Sequence, residues 1–125
     1  MSNVPADLKY TKEHEWVREV SAGTYQIGIT DFAQGALGDI VYIQLPKVGQ
    51  VVTAGQVCGE VESTKSVSEI YSPLTGTVLS VNSNLDATPE LINQDPYTGG
   101  WIAEISVTEE ASDLLSSTEY EALTA

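Results

Sequence analysis

The residue best placed to carry covalent chemistry in this chain is Lys65. It lies in the run Val57-Cys58-Gly59-Glu60-Val61-Glu62-Ser63-Thr64-Lys65-Ser66-Val67-Ser68-Glu69-Ile70-Tyr71-Ser72-Pro73, where two strand-like segments flank Ser63 to Ser66. A connection of that length closes a β-hairpin, which puts the amine at an exposed tip. Such a tip suits a tethered cofactor, because a modifying enzyme can reach the amine while the hairpin holds its base still. Acylation would remove the charge and leave a flexible arm whose end visits several sites at high effective concentration. Spacing alone leaves a second reading open, a solubilising surface lysine, since nearly all exposed lysines are that. Scarcity favours the first: Lys65 is one of only four lysines, on a chain with eighteen acidic residues.

Other reactive side chains offer less. Cys58 is the only cysteine, so no intramolecular disulfide can form, which fits a reducing compartment; within the strand-like run Val57 to Val61 it reads as an inert buried thiol. His14 is the only histidine and stands two residues before Trp16 without an evident triad, so it reads as a packing or hydrogen-bonding residue. One Cys and one His do not supply the three or four ligands of a transition-metal site. Trp16 and Trp101 read as packing residues.

The elements that must position Lys65 are mostly strands. Thr24 to Thr30 alternates apolar and polar residues, and Ile40 to Leu45 is a second strand. Between them Asp31 is expected to cap a short helix over Phe32 to Leu37, with Gln34 at the return position of a capping box and Gly38 as the stop. Thereafter Pro46, Gly49, Gly55, Gly59, Pro73 and Gly76 divide the chain into short valine-rich strands: Val51 to Thr53, Val57 to Glu62, Val67 to Ser72 and Gly76 to Asn82. Ser83 to Gly100 reads as loop, and Trp101 to Val107 as the last strand. Thr108 and Ser116 are good N-caps, the latter boxed with Glu119, which predicts helices over Glu109 to Leu115 and Ser117 to Leu123.

Length and charge bound the function. A chain of 125 residues with 42% hydrophobic content suits one folded domain. A formal charge of −13 repels nucleic-acid phosphates and anionic membranes, favours a monomer, and steers the protein towards basic patches on partners. Met1 to Asp7 has neither the basic start nor the apolar stretch of a signal peptide, and no spanning helix is visible, so a cytoplasmic protein with a short bacterial-style amino terminus is expected.

Several segments together carry a family resemblance. Glu62-Ser63-Thr64-Lys65-Ser66 followed by Ile70-Tyr71-Ser72-Pro73 resembles the lipoylation motif of glycine cleavage H proteins. Tyr10-Thr11-Lys12-Glu13-His14-Glu15-Trp16-Val17, Gly28-Ile29-Thr30-Asp31-Phe32-Ala33-Gln34, Leu37-Gly38-Asp39-Ile40-Val41-Tyr42 with Leu45-Pro46, Leu91-Ile92-Asn93-Gln94-Asp95-Pro96-Tyr97 and Gly100-Trp101 are similar to the family's other signatures, in order. Departures are small: Ser66 stands where many members carry Ala, and Glu13 where some carry Ser. The resemblance implies a mainly β fold, a hybrid β-sandwich of the biotinyl/lipoyl-carrier type with a short helix after the first strand and short C-terminal helices. It implies a single domain over 1–125, with a lipoyl-binding core at about 24–107 and C-terminal helices at about 108–124.

The same resemblance implies lipoate on Lys65 and a carrier without catalysis of its own. The arm would take an aminomethyl group from the glycine-decarboxylating dehydrogenase to an aminomethyltransferase, and dihydrolipoyl dehydrogenase would reoxidise it. A lipoyl or octanoyl transferase, or a lipoate ligase, would attach it. The family's pocket positions fall on Glu13, Glu15 and Glu69, whose carboxylates could hold the loaded arm's ammonium; on a chain with twelve glutamates each could also be a solvated surface charge. A 2-oxoacid dehydrogenase lipoyl domain would lack the Glu13-His14-Glu15-Trp16 entry, and a biotin carrier would flank its lysine with methionines in place of Thr64 and Ser66. A lipoyl relay protein and an unmodified interaction module are the remaining alternatives.

Overall fold

A computed structural model of the chain describes residues 3–109 and 114–124. Nine strands, β1 (Lys9–Tyr10), β2 (Glu15–Ser21), β3 (Thr24–Ile29), β4 (Ile40–Gln44), β5 (Val51–Val52), β6 (Val57–Ser63), β7 (Val67–Tyr71), β8 (Gly76–Val81) and β9 (Ala103–Val107), form two antiparallel sheets among the described residues. One has six strands in the order β1-β2-β3-β9-β8-β5; the other has three, β4-β6-β7. The chain changes sheet after β3, β4, β5 and β7, so the two sheets are interleaved along the sequence. This interleaving makes the protein mainly β, as its short valine-rich segments predict.

Alternation decides what lies between the sheets. Val17, Ile27 and Ile105 from the larger sheet face Ile43, Val61 and Ile70 from the smaller, and all are buried. Each such side chain contributes roughly 1.5–3 kcal/mol by leaving water. A second cluster sits on the opposite side of β2, where Trp16 packs with Leu8, Tyr10, Tyr97 and Tyr120. Gly28, opposite Trp16 in the β2–β3 register, makes room for the indole: a Cβ there would come within 2.6 Å of the ring. Trp16 Nε1 donates to Pro96 O at 2.9 Å, and the Arg18 guanidinium lies 5.0 Å over the ring.

Among the described residues four helices, α1 (Asp31–Leu37), α2 (Asn84–Ala87), α3 (Leu91–Gln94) and α4 (Ser117–Thr124), connect and flank the sheets. The cap of α1 is Thr30, not Asp31: Thr30 is extended (φ −77°, ψ 165°) and its hydroxyl accepts from Ala33 N. Asp31 is the first helical residue, and its carboxylate accepts from Gln34 Nε2 and Asn3 N. Gly38 ends the helix at φ +85°, as expected of a C-terminal glycine. The stretch read as loop contains α2 and α3, single turns anchored by buried Leu85 and Ile92, which a periodicity search cannot see in four residues.

Two further strands, β1 and β2, lie where no strand is expected from the sequence, and α1 follows the third strand, not the first. Glu15, Trp16 and Val17 are all buried, because both faces of β2 are covered, so the alternation that marks a half-exposed strand is missing. The predicted helix over Glu109 to Leu115 falls mostly outside the described residues, and at its described end Leu115 instead bridges Tyr10 in antiparallel fashion. The helix predicted from Ser117 is present. Its capping box is complete: Ser116 N donates to Glu119 Oε1 at 2.9 Å and Glu119 N to Ser116 Oγ at 3.2 Å.

Candidate functional site

Lys65 stands at the tip of the β6–β7 hairpin and is exposed. The last ladder pair before the turn is Glu62 with Val67. Ser63 organises what lies beyond it: its backbone N–H donates to Ser66 O at 2.8 Å, and its hydroxyl accepts from Lys65 N and Ser66 N, both at 3.1 Å. The serine side chain thus substitutes for a backbone acceptor that four turn residues could not supply. A second tie runs sideways, from Thr64 N to Asp39 O at 3.0 Å. The Lys65 stem lies along Gly38, where an added Cβ would be 3.4 Å from Lys65 Cε.

A cleft of about 660 Å³ opens towards the other end of β7. Thr11, Lys12, Glu13 and Glu15 form one wall, and Tyr71 to Thr75 another, with Leu114 and Leu115 supplying apolar surface. Glu15 is the unusual group here: it is 2% exposed, Thr11 Oγ1 donates to its Oε1 at 2.6 Å, and Tyr71 N donates to its Oε2 at 3.4 Å. Burial pushes its carboxyl up to about 8, against the two hydrogen bonds that favour the charged form. Glu13 lines the same cleft but is exposed. Glu69 is exposed outside the lining and accepts from the Tyr71 hydroxyl at 3.3 Å; its charge is the main reason the Tyr71 phenol is raised.

The structure therefore brings Glu13 and Glu15 together, sets Glu69 at the margin through Tyr71, and keeps Lys65 apart. Lys65, in the turn, precedes Tyr71 at the far end of β7 by six positions, roughly 20 Å at the rise of a strand. An arm on Lys65 would have to lie back along β7 to reach the cleft. Sequence reasoning gave no role to Thr11 or Tyr71, which hold Glu15. Thr11 lies four residues before Glu15, and a hydroxyl that near a carboxyl that must be buried was the available signal.

His14 is held by contacts from α1 and α4. It occupies the left-handed region (φ +71°), its Nδ1 lies 2.8 Å from the Tyr120 hydroxyl, and its ring packs 4.8 Å from Phe32. The Tyr120 hydroxyl in turn shares a hydrogen bond with Thr30 Oγ1 at 2.7 Å, linking α4 to the cap of α1. Burial holds the imidazole below its usual value, with Glu13 opposing. Cys58 is buried, and desolvation pushes its thiol up to about 12. Among the described residues no cluster of three or more His, Cys, Asp or Glu could hold a metal ion, and no helix is long and apolar enough to cross a membrane.

Two interleaved antiparallel sheets displaying a lysine on a hairpin tip define a β-sandwich of the lipoyl-carrier type. The chain belongs to the glycine cleavage H-protein family, whose sequence model matches residues 8–125. It is 60% identical over 112 residues to the glycine cleavage system H protein of Micrococcus luteus, covering 89% of this chain and 88% of that protein. Against the H protein of Mycobacterium bovis BCG it is 58% identical over 107 residues, 86% of this chain and 80% of the relative. The crystal structure of an H protein from Mycobacterium marinum superposes with a TM-score of 0.90 at 40% identity, covering 97% of this chain and 98% of that one. Lipoyl carriage between the enzymes of the glycine cleavage system is the general role of this family.

Proposed function

We propose that this chain is a single-domain H protein whose lipoyl group is amide-linked to Lys65 Nζ, and that it serves as a carrier without catalysis of its own. The observation that carries the reading is the exposed amine on a turn held from two sides, by the Ser63 hydroxyl and by Asp39 O. The residues fit the group: the amine is open to an acylating enzyme, and the cleft offers both apolar surface and a withdrawn carboxyl to an arm that ends in an amine. When bound, the dithiolane supplies the sulfur that takes up the aminomethyl group of glycine and releases it to the aminomethyltransferase.

The chain's own residues then do three things. Ser63 and Asp39 keep the base of the arm still, which lowers the ordering cost of docking into an active site. Glu15, with Glu13 beside it, would receive the neutral form of the arm's amine in the cleft; passage of the carboxyl proton from Glu15 to that amine would leave an ammonium and a carboxylate joined by a charge-assisted hydrogen bond. Leu114, Leu115 and the segment Ser72 to Thr75 exclude water around it, which protects a carbon bonded to both sulfur and nitrogen. Glu69 orients Tyr71 at the margin.

Partners are the decarboxylating glycine dehydrogenase, the aminomethyltransferase, dihydrolipoyl dehydrogenase and a lipoyl or octanoyl transferase or lipoate ligase. The charge of −13 supports a monomer steered to basic surfaces on these enzymes, with association slowed by salt, and it disfavours nucleic acid and membrane. A shared compartment with them, the cytoplasm, is part of the reading. The test is intact-mass measurement of protein made with lipoate available, followed by incubation with glycine and the decarboxylating enzyme. One lipoyl addition at Lys65 that then gains the glycine-derived carbon supports the shuttle. Lipoyl transfer onward without glycine-dependent loading would instead establish a relay, and no covalent addition would defeat both.

A further inference from the structure

Asn93, on the single turn α3, uses both of its polar atoms on the stretch from the last turn of α1 to the first residue of β4. Its Oδ1 accepts from Ile40 N at 2.8 Å, and its Nδ2 donates to Gly38 O and to Gln34 Oε1, each at 2.9 Å. The partners settle the orientation of the amide, since Ile40 N can only donate and the Gly38 carbonyl can only accept. Gln34 is itself fixed from its far end by Asp31 Oδ1 at 2.7 Å. A side chain in this arrangement clamps the last turn of α1 and the first residue of β4 to a third element.

The clamped segment is the one that touches the lysine tip. Asp39, between two residues that Asn93 binds, offers the carbonyl that accepts from Thr64 N. Gly38, one of those two, presents the bare α-carbon along which the Lys65 stem lies. A hairpin tip held only by its own turn would sample a range of positions, and a modifying enzyme would bear the cost of ordering it at each encounter. With the neighbouring segment fixed, that cost falls in folding.

We propose that Asn93 is a positioning residue for lipoate attachment: through Gly38, Asp39 and Ile40 it sets where the hairpin presents Lys65 to the acylating enzyme. This rests on the reading of Lys65 as the attachment point. Asn93 is about thirty positions from Lys65 in sequence and reaches it only through the intervening segment, so its loss acts on placement and leaves the amine itself unaltered.

The experiment compares the full-length apo chain with Asn93→Leu, Asn93→Asp and a control, Asn82→Asp. Asn82 is an equivalent clamp, with Nδ2 donating to Gly99 O and Trp101 O at 2.9 Å, remote from the tip. Acylation by a lipoate ligase with lipoate and ATP is followed by intact mass over a range of carrier concentrations, and amide hydrogen exchange is read by NMR. Both Asn93 variants should lose about tenfold in kcat/KM, carried by KM for the carrier, with kcat retained. Thr64 and Lys65 amides should exchange faster while those of β2, β3 and β9 stay protected; Asn82→Asp should be acylated at the wild-type rate. If Asn93→Leu does not fold, Asn93→Asp decides, because it keeps the acceptor for Ile40 N. Unchanged kinetics in the Asn93 variants, or equal slowing in Asn82→Asp, would overturn the proposal. Wild-type chain that takes no lipoate at Lys65 would refute the attachment reading itself, and this one with it.

Discussion

The lysine tip and the glutamate cleft lie towards opposite ends of β7 yet handle charge in opposite ways. At the tip the ionisable group is left in water, and the protein fixes only the backbone beneath it, through Ser63 and Asp39. In the cleft the ionisable group is itself withdrawn from water, and Glu15 keeps its proton to about pH 8 for that reason. The difference follows from what each must meet. An attachment point must be reached by large enzymes, so exposure costs nothing and rigidity is enough. A receptor for an amine gains from a dry, protonated carboxyl, because the ion pair formed when its proton passes to the amine strengthens as water is removed.

The largest effect that tests this contrast is Lys65→Arg. It should abolish lipoate incorporation entirely, as read by intact mass, while leaving unfolding free energy within about 0.5 kcal/mol, as for other exposed sites. A stability loss well beyond that would mean the tip lysine is part of the packing, and the contrast with the cleft would fail.

Next comes the pH dependence of Glu15. Its folded-state value is raised from 4.5 to about 8, so its stabilising term is fully present below about pH 4.5 and is lost as pH rises to about 8. In that window the unfolded carboxyl has ionised while the folded one keeps its proton. Urea denaturation at pH 5 and pH 8 should show the wild type losing on the order of 4 kcal/mol more than Glu15→Gln across the window. Parallel curves for the two proteins would show that Glu15 is solvated. The same variant should shorten the lifetime of the glycine-loaded carrier.

Two smaller effects sharpen the comparison. Thr11→Val removes the 2.6 Å hydrogen bond to the buried carboxyl and should cost about 2 kcal/mol, and it should raise the Glu15 midpoint further, as followed by carbon-13 NMR of the carboxyl. Ser63→Ala removes the turn's acceptor for two N–H groups and should cost about 1 kcal/mol: Ser63 is itself buried, but both donors belong to exposed residues that water reaches. A larger cost at Ser63 than at Thr11 would reverse the assignment of which region is dry.

Much of the scaffold was legible because its signals are local. Val57 to Glu62 and Val67 to Ser72 read as strands around a four-residue connection, and β6 and β7 fall there to within one residue. Gly38 and the Ser116 to Glu119 box were equally plain, since caps depend on residues three or four apart. The failures share a cause. Asp31 lost the cap to Thr30 because the chain leaves β3 where Tyr97 and Tyr120 hold it, with Tyr97 Oη accepting from Asp31 N at 3.0 Å. β2 escaped notice because sheet on one side and Tyr97 and Tyr120 on the other bury consecutive residues.

By itself, then, the sequence determined a lysine on a hairpin apex, a succession of short strands and a strongly acidic chain. These follow from neighbours within a few positions, where turn geometry and side-chain alternation act. Only the tertiary structure decided that Glu15 is dry while Glu13 is not, since the two differ in what folds over them: Tyr71 donates to one carboxylate from 56 residues away. The same holds for Asn93 beneath the lysine tip. Burial and hydrogen-bond partnership are properties of distant chain segments brought together, and no local pattern encodes them.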